Sequence, residues 1–469
     1  TGDLYWDSVV SVSATIEGSI YGDGTDGKFV IGDPGDISYQ SSLFSAALTT
    51  SLVSPDPIFV YSSARTGYMA TLGWNKDEVV EQSWIQYYTD SEEILTITKK
   101  GEDITSAEVY PKNAGVQQVI AGGNLYLQIP SNTRLRVEIN GERGEVLSVF
   151  ANPAITAPTT YIDFDTLSKT VSFVDTSNNT YTSANHGFSD DDRVLITSTG
   201  DVPEYSEALT PEYFHLNATT HPDPEDRTEY DIVFAKVIDS NTFQVSDTPG
   251  GAALTITSQG TGDIKAQPGE WTDTVNELRF PPGVHKMGRL FGTADNANIY
   301  FEHGSIAIGS FAVRQLGVIQ DEGGCEFYGK GVLSGEFNNR DNLFGSFEYD
   351  KMYSMWYGSE ERAGETAYYR HDNSITGITV VQAPWYMNFG GICEWRNVNI
   401  INPWTFNADG PRASGSRSVR GSTPRNTSLI VDCYSFTGDD SFHAKQSFDN
   451  AIISGCFAIA TNNGCFHGQ

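Results

Sequence analysis

The sequence predicts an all-β protein composed of an N-terminal β-sandwich, a small inserted β-module and a C-terminal right-handed parallel β-helix. Three observations predict it. The 469 residues include 46 glycines but few long apolar runs, the signature of many short strands joined by turns. In "RLRVEING", Leu135, Val137 and Ile139 alternate with Arg134, Arg136 and Glu138, the period-2 pattern of a half-buried antiparallel strand. From about residue 275, units of two or three short apolar strands recur, with Gly, Asn or Asp at their corners.

Residues 1–164 carry the sandwich. "SWIQYYTD", "ILTITKKGED", "NLYLQIPSNT", "RLRVEINGER" and "EVLSVFANP" read as successive strands that close most simply as two packed sheets. Residues 165–265 change to Asp-, Thr- and Ser-rich strands such as "DRVLITSTG" and "DIVFAKVIDSNTFQVSD", with the polar loop "HPDPEDRTEY" between them. They read as an insert, because "YIDFD" before and "NELRFPPGVHKMG" after look like two halves of one connection. Residues 266–469 hold the repeats. A unit this short cannot bury its own apolar face, so it must stack on the next one, which stacks equivalent side chains into ladders about 4.8 Å apart. The sequence stops at "NNGCFHGQ", about one repeat beyond the richest polar motif and without a capping segment, so a continuation past Gln469 is expected.

Composition narrows the partners. A formal charge of −31 repels a phosphate backbone and argues against nucleic acid, whereas a glycan or a saline exterior suits it. No run approaches the roughly 18–20 apolar residues of a membrane span. The opening "TGDLYWDSVV" has neither an initiator Met nor a signal-peptide pattern, as in an already processed extracellular chain. Cys325, Cys393, Cys433, Cys456 and Cys465 all fall in the last third, compatible with one or two local disulfides in an oxidising compartment. Asn178, Asn217 and Asn426 each open an N-glycosylation acceptor pattern, as in a secreted glycoprotein.

The sharpest constellation is "WTFNADG" at residues 404–410 followed by "FTGDDSFHAK" at residues 436–445. It puts Asp409 one coil before Asp439 and Asp440. A one-rung offset gives carboxylate separations of roughly 6–9 Å, where a water fits between base and sugar in inverting glycoside hydrolysis. Crowding makes full ionisation of three carboxylates unfavourable, so one is expected to stay protonated as an acid while the others accept a proton from water. His443 and Lys445 follow on the same strand and can hold a sugar hydroxyl or steady a carboxylate, or simply be solvated. Trp385, Tyr386, Trp395 and Trp404 are candidate sugar-stacking platforms or core aromatics. Asp and Gly are also ordinary corner residues; two such motifs one coil apart, with Trp404 alongside, favour the chemical reading.

The pair "W-x-F-N-x-D-G … G-D-D-x-x-x-x-K" resembles the active site of dextranase-type hydrolases of glycoside hydrolase family 49 and, more distantly, of polygalacturonases with their pectin-lyase-like fold. "IPSNTRLRVEINGERGEVLSVFANP" resembles the sandwich attached to the same enzymes, and the insert resembles small modules of phage and bacterial surface proteins. The resemblance implies Asp439 as general acid, Asp409 and Asp440 sharing the activation of water, and His467 among the substrate-binding groups on the following coil. It implies a polysaccharide substrate. From the residues themselves no cofactor or metal is expected, since the Asp-rich insert offers calcium no defined loop. Arg412, Arg417, Arg420 and Arg425, in the loop between the two motifs, are a departure that suits an acidic glycan as well as a solvated loop.

The leading expectation is thus a secreted, inverting polysaccharide endo-hydrolase. The alternative is a non-catalytic surface, filament or phage-tail protein that keeps the scaffold for homo-oligomeric assembly. A polysaccharide lyase would need a basic catalytic residue or calcium, for which the sequence offers no clear candidate. Nucleophile-elbow, Walker, dinucleotide and zinc signatures do not occur.

Overall fold

The structure is a computed structural model. It describes residues 30–49, 56–66, 79–142, 146–207, 230–268, 270–271, 277–292, 298–313, 326–335, 355–357, 373–382, 388–389, 392–402, 410–413, 427–438, 440–444, 450–460 and 467–468. Its class is all-β, as the sequence predicts, with sheets of both antiparallel and parallel type.

Among the described residues the sandwich has two five-stranded sheets. One runs Asp56–Ile58, Phe44–Thr49, Glu93–Lys99, Asn124–Ile129, Gln117–Ala121; the other runs Tyr61–Thr66, Val79–Tyr88, Val146–Asn152, Thr133–Ile139, Ala107–Tyr110. Between them lie Leu48, Ile85, Leu95, Leu127, Leu135 and Val149, all fully buried. The second sheet is covered on both faces. Every residue of Val146–Asn152 is buried, because Leu147, Val149 and Ala151 enter the sandwich core while Phe150 packs on the helix.

The strand Thr133–Ile139 therefore departs from the half-buried expectation. Leu135, Val137 and Ile139 line the sandwich core, but Arg134 and Arg136 on the opposite face are each only 6 % exposed. Arg136 lies over the Phe436 ring at 5.2 Å, and Arg134 donates to Asn152 Oδ1 at 3.1 Å and to Asn397 Oδ1 at 2.7 Å. The face that alternation alone would give to water is instead a docking surface.

The helix is built on two long parallel sheets. One begins at Ile162–Asp163, pairs directly with Glu277–Phe280, and continues through Asn298–Phe301, Glu326–Gly329, Asn373–Thr376, Ile392–Arg396, Thr427–Val431 and Asn450–Ser454. The other passes through Gly283–Gly292, Ser305–Val313, Val332–Ser334, Thr379–Val381, Asn399–Asn402, Tyr434–Thr437 and Phe457–Ala460. In-register pairing makes interior ladders: Leu278, Ile299, Phe327, Ile375, Trp395 and Ile430 on one wall, and Ala307, Leu333, Val380 and Ile400 on the other. The turn between walls repeats too. Gly377, Asn397, Asp432 and Gly455 hold φ of 81, 54, 52 and 66°, a left-handed kink favoured by Gly, Asn and Asp. Each is followed by an inward residue: Ile378, Val398, Cys433, Cys456.

Pairing of Ile162 with Leu278 brings the two ends of the insert together. Between them lies a seven-stranded antiparallel sheet with its own core around Tyr181, Val194, Val233 and Phe243. Phe164, on the turn just before it, stacks on Phe280 at 4.5 Å and belongs to the helix core. The seam between sandwich and helix joins Phe59, Tyr61, Trp84 and Phe150 to Ile306, Ile308, Val332, Ile401, Tyr434 and Phe436. Polar pins cross it: Ser148 Oγ and Tyr434 OH lie 2.9 Å apart, Tyr88 OH donates to Gly377 O at 3.1 Å, and Thr379 Oγ1 donates to Gln86 Oε1 at 2.6 Å.

Candidate functional site

The third side of the last coils carries the motif-bearing segments. Arg412–Ala413, His443–Ala444 and His467–Gly468 form a short parallel sheet in which Arg412 pairs with His443 and His443 with His467. Gly410 and Asp440, the described residues that precede the first two of these strands, lie on consecutive coils. Gly410, next in sequence to Asp409, donates its N–H to the Asp440 carbonyl at 2.8 Å.

The local sequence explains the close approach. A Cβ on Gly410 would overlap the Ser441 carbonyl and the Ser435 hydroxyl, so only glycine lets the two segments touch. The turn after the strand Tyr434–Thr437 is tied from several directions. Gly438 N–H donates to Asn402 O of the preceding coil at 2.9 Å. Ser435 Oγ donates to Ser441 O at 2.9 Å, and the Thr437 and Ser441 hydroxyls lie 3.1 Å apart. Phe442 reaches back into the helix core with 4 % of its surface exposed. Asp440 is thereby held in a polar, nearly enclosed position, 7 % exposed.

Of the residues singled out from the sequence, Asp440 is described together with the backbones of His443 and His467, which the sheet brings into register on neighbouring coils. Asp409, Asp439, Trp404, Lys445, Trp385 and Tyr386 lie outside the described residues, as do Arg417, Arg420 and Arg425. Of its two readings, Trp395 takes the core one. It is fully buried in the interior ladder between Ile375 and Ile430 and cannot stack on a sugar. Of the five cysteines, Cys433 and Cys456 sit on adjacent coils as free thiols, with Cys433 N–H directed at Cys456 Sγ at 3.5 Å. Burial pushes the Cys433 thiol well above its usual range. Cys325 and Cys465 lie outside the described residues.

Gly410, Ser435, Ser441 and Phe442 were not singled out from the sequence, although Gly410, Ser441 and Phe442 belong to the motifs themselves. No group of three or more metal-ligating side chains occurs among the described residues, and no helix there is long and apolar enough to cross a membrane.

Fold and site together define an all-β protein in which a sandwich docks on a parallel β-helix, interrupted near its start by a β-module. No family model and no curated protein matches the sequence. Among solved structures the chain is similar to Dex49A from Penicillium minioluteum, with 13 % sequence identity over 89 % of this chain and 70 % of that one, at a TM-score of 0.42.

Proposed function

We propose that the protein is an extracellular polysaccharide endo-hydrolase that acts with inversion at the "NADG"/"GDDS" pair. The observation that supports this reading is the contact of Gly410 with Asp440 on consecutive coils, which joins two carboxylate-bearing motifs at one place. Asp439 donates its proton to the glycosidic oxygen as the C–O bond breaks. Asp409 and Asp440 take a proton from the water that attacks the anomeric carbon from the opposite face. His443, Lys445 and His467 hold sugar hydroxyls, and Trp404, Trp385 and Tyr386 offer faces on which pyranose rings stack. This chemistry needs no cofactor or metal.

The test is reducing-end release from glucans, pectins and sulfated polysaccharides by the folded protein and its Asp439→Asn and Asp440→Asn variants. Cleavage of one substrate class, reduced ~10²–10⁴-fold in each variant, is expected. Cleavage of none, or full activity in both variants, overturns the proposal and leaves the scaffold for assembly.

A further inference from the structure

Two cysteines stack at the same corner of consecutive coils. Val431 pairs with Ser454 and Tyr434 with Phe457, so the register sets Cys433 beside Cys456. Each follows a corner residue in the left-handed conformation, Asp432 at φ 52° and Gly455 at φ 66°. Each turns inward, where the two preceding coils hold Ile378 and Val398. Neighbouring strands lie about 4.8 Å apart, inside the ~4.4–6.8 Å of Cα separation that a disulfide spans.

The Cys456 thiol leans toward the coil that carries Cys433. Its Sγ accepts from Cys433 N–H at 3.5 Å and lies 3.4 Å from the Ile430 carbonyl. The Cys433 thiol, hydrogen-bonded to Cys456, holds the Cys456 thiol below its usual range. The two differ in access, Cys433 being fully buried and Cys456 half-buried.

The coil Asn450–Ala460 is also the one with most to gain from a covalent tie. Its inward side chains Ile453 and Ala458 are only partly buried, whereas Ile430 and Ile400 on earlier coils are fully buried. A bond from Cys433 to Cys456 closes a ring that contains the whole "TGDDSFHAK" segment.

We propose that Cys433 and Cys456 are a modification site, joined by a disulfide that staples the coil Asn450–Ala460 to the coil before it. The oxidant is a small-molecule disulfide of the glutathione type. The Cys456 thiolate, the more accessible sulfur, attacks one sulfur of that disulfide; the S–S bond breaks and one thiolate leaves. Cys433 then gives up its proton and attacks Cys456 Sγ, releasing the second thiolate. Two protein thiols are oxidised, and their two electrons and two protons end on the two small thiols. The staple does not depend on hydrolysis at the Asp440 segment, and its test reads no turnover.

The full chain is equilibrated in mixtures of oxidised and reduced glutathione, its remaining thiols are alkylated in denaturant, and its peptides are mapped without reduction. The same samples are melted before and after reduction. Cys456→Val keeps an apolar side chain at the position, as Val398 does two coils earlier, and Cys456→Ser keeps its size. The expected result is a linked Cys433–Cys456 peptide that becomes the main species as the oxidised fraction rises. The linked chain should melt a few degrees above the reduced one, while neither variant changes its melting with redox conditions. Alkylation of both thiols at every ratio, linkage of either to Cys325, Cys393 or Cys465, or a linked chain that melts no higher than the reduced one overturns the proposal. A redox-dependent melting shift that persists in both variants does so too.

Discussion

Replacing Gly410 by alanine tests whether contact between the two motif segments sets the site. The added Cβ would lie 2.9 Å from the Ser441 carbonyl carbon and closer still to its oxygen, against an ordinary contact of 3.4 Å or more. Relief requires a shift on the order of 1 Å, and the atom that must move is backbone. Overpacking of this kind costs about 1–3 kcal/mol, so the melting temperature should fall by several degrees. Because Asp440 precedes Ser441, the same shift moves a proposed water-activating carboxylate. A misplacement of about 1 Å at a catalytic group lowers turnover about 10²-fold. Gly122→Ala is the control: at φ 57° it carries backbone strain of about 1–2 kcal/mol, but nothing lies within 4 Å of its Cβ and it is remote from the site. Differential scanning fluorimetry and initial-rate assays on both variants read the two effects separately. Equal activity in the two at equal stability would refute the claim that this packing positions the carboxylate.

Three further outcomes follow from the packing. Arg134→Ala should destabilise the chain by about 2–3 kcal/mol in urea unfolding, since it strips the donor from the buried Asn152 oxygen and from the half-buried Asn397 oxygen at the seam. The hydrogen bond from His285 holds Asp165 below the ordinary carboxylate range. The stability it contributes is therefore fully present above about pH 3.9 and is lost as pH falls through the lowered value, so Asp165→Asn should flatten the acid limb of a urea-midpoint profile. Glu326 has the opposite sign. Burial, with Glu277 and Glu394 nearby, raises its pKa, stability falls as pH rises through that range, and Glu326→Gln should melt at a higher temperature than wild type at pH 7 and at an equal one in acid.

Short-range pattern reveals much of this fold. Alternation at Leu135, Val137 and Ile139 identifies a core face, and Gly, Asn or Asp at coil corners anticipates the left-handed turns at Gly377, Asn397, Asp432 and Gly455. What alternation cannot show is what covers the other face. Arg134 and Arg136 read as solvated because the helix that buries them is more than 200 residues away in sequence. Trp395 was open to either reading because a lone aromatic carries no sign of inside or outside; its register with Ile375 and Ile430 does. The adjacency of the motif segments was legible from their spacing, since Arg412 and His443 pair one coil apart. The glycine that permits the contact was hidden, because its role depends on a carbonyl in the next coil.

The central claim is that the paired motifs carry out single-displacement hydrolysis, and the stereochemistry of the product tests it most directly. Wild-type protein is incubated with each polysaccharide class that the proposal names, and the anomeric proton of any new reducing end is followed by NMR from the first minutes, with Asp439→Asn in parallel. Initial release of the inverted anomer, absent in the variant, is the predicted result. Initial release of the retained anomer, or equal release by the variant, would contradict the account.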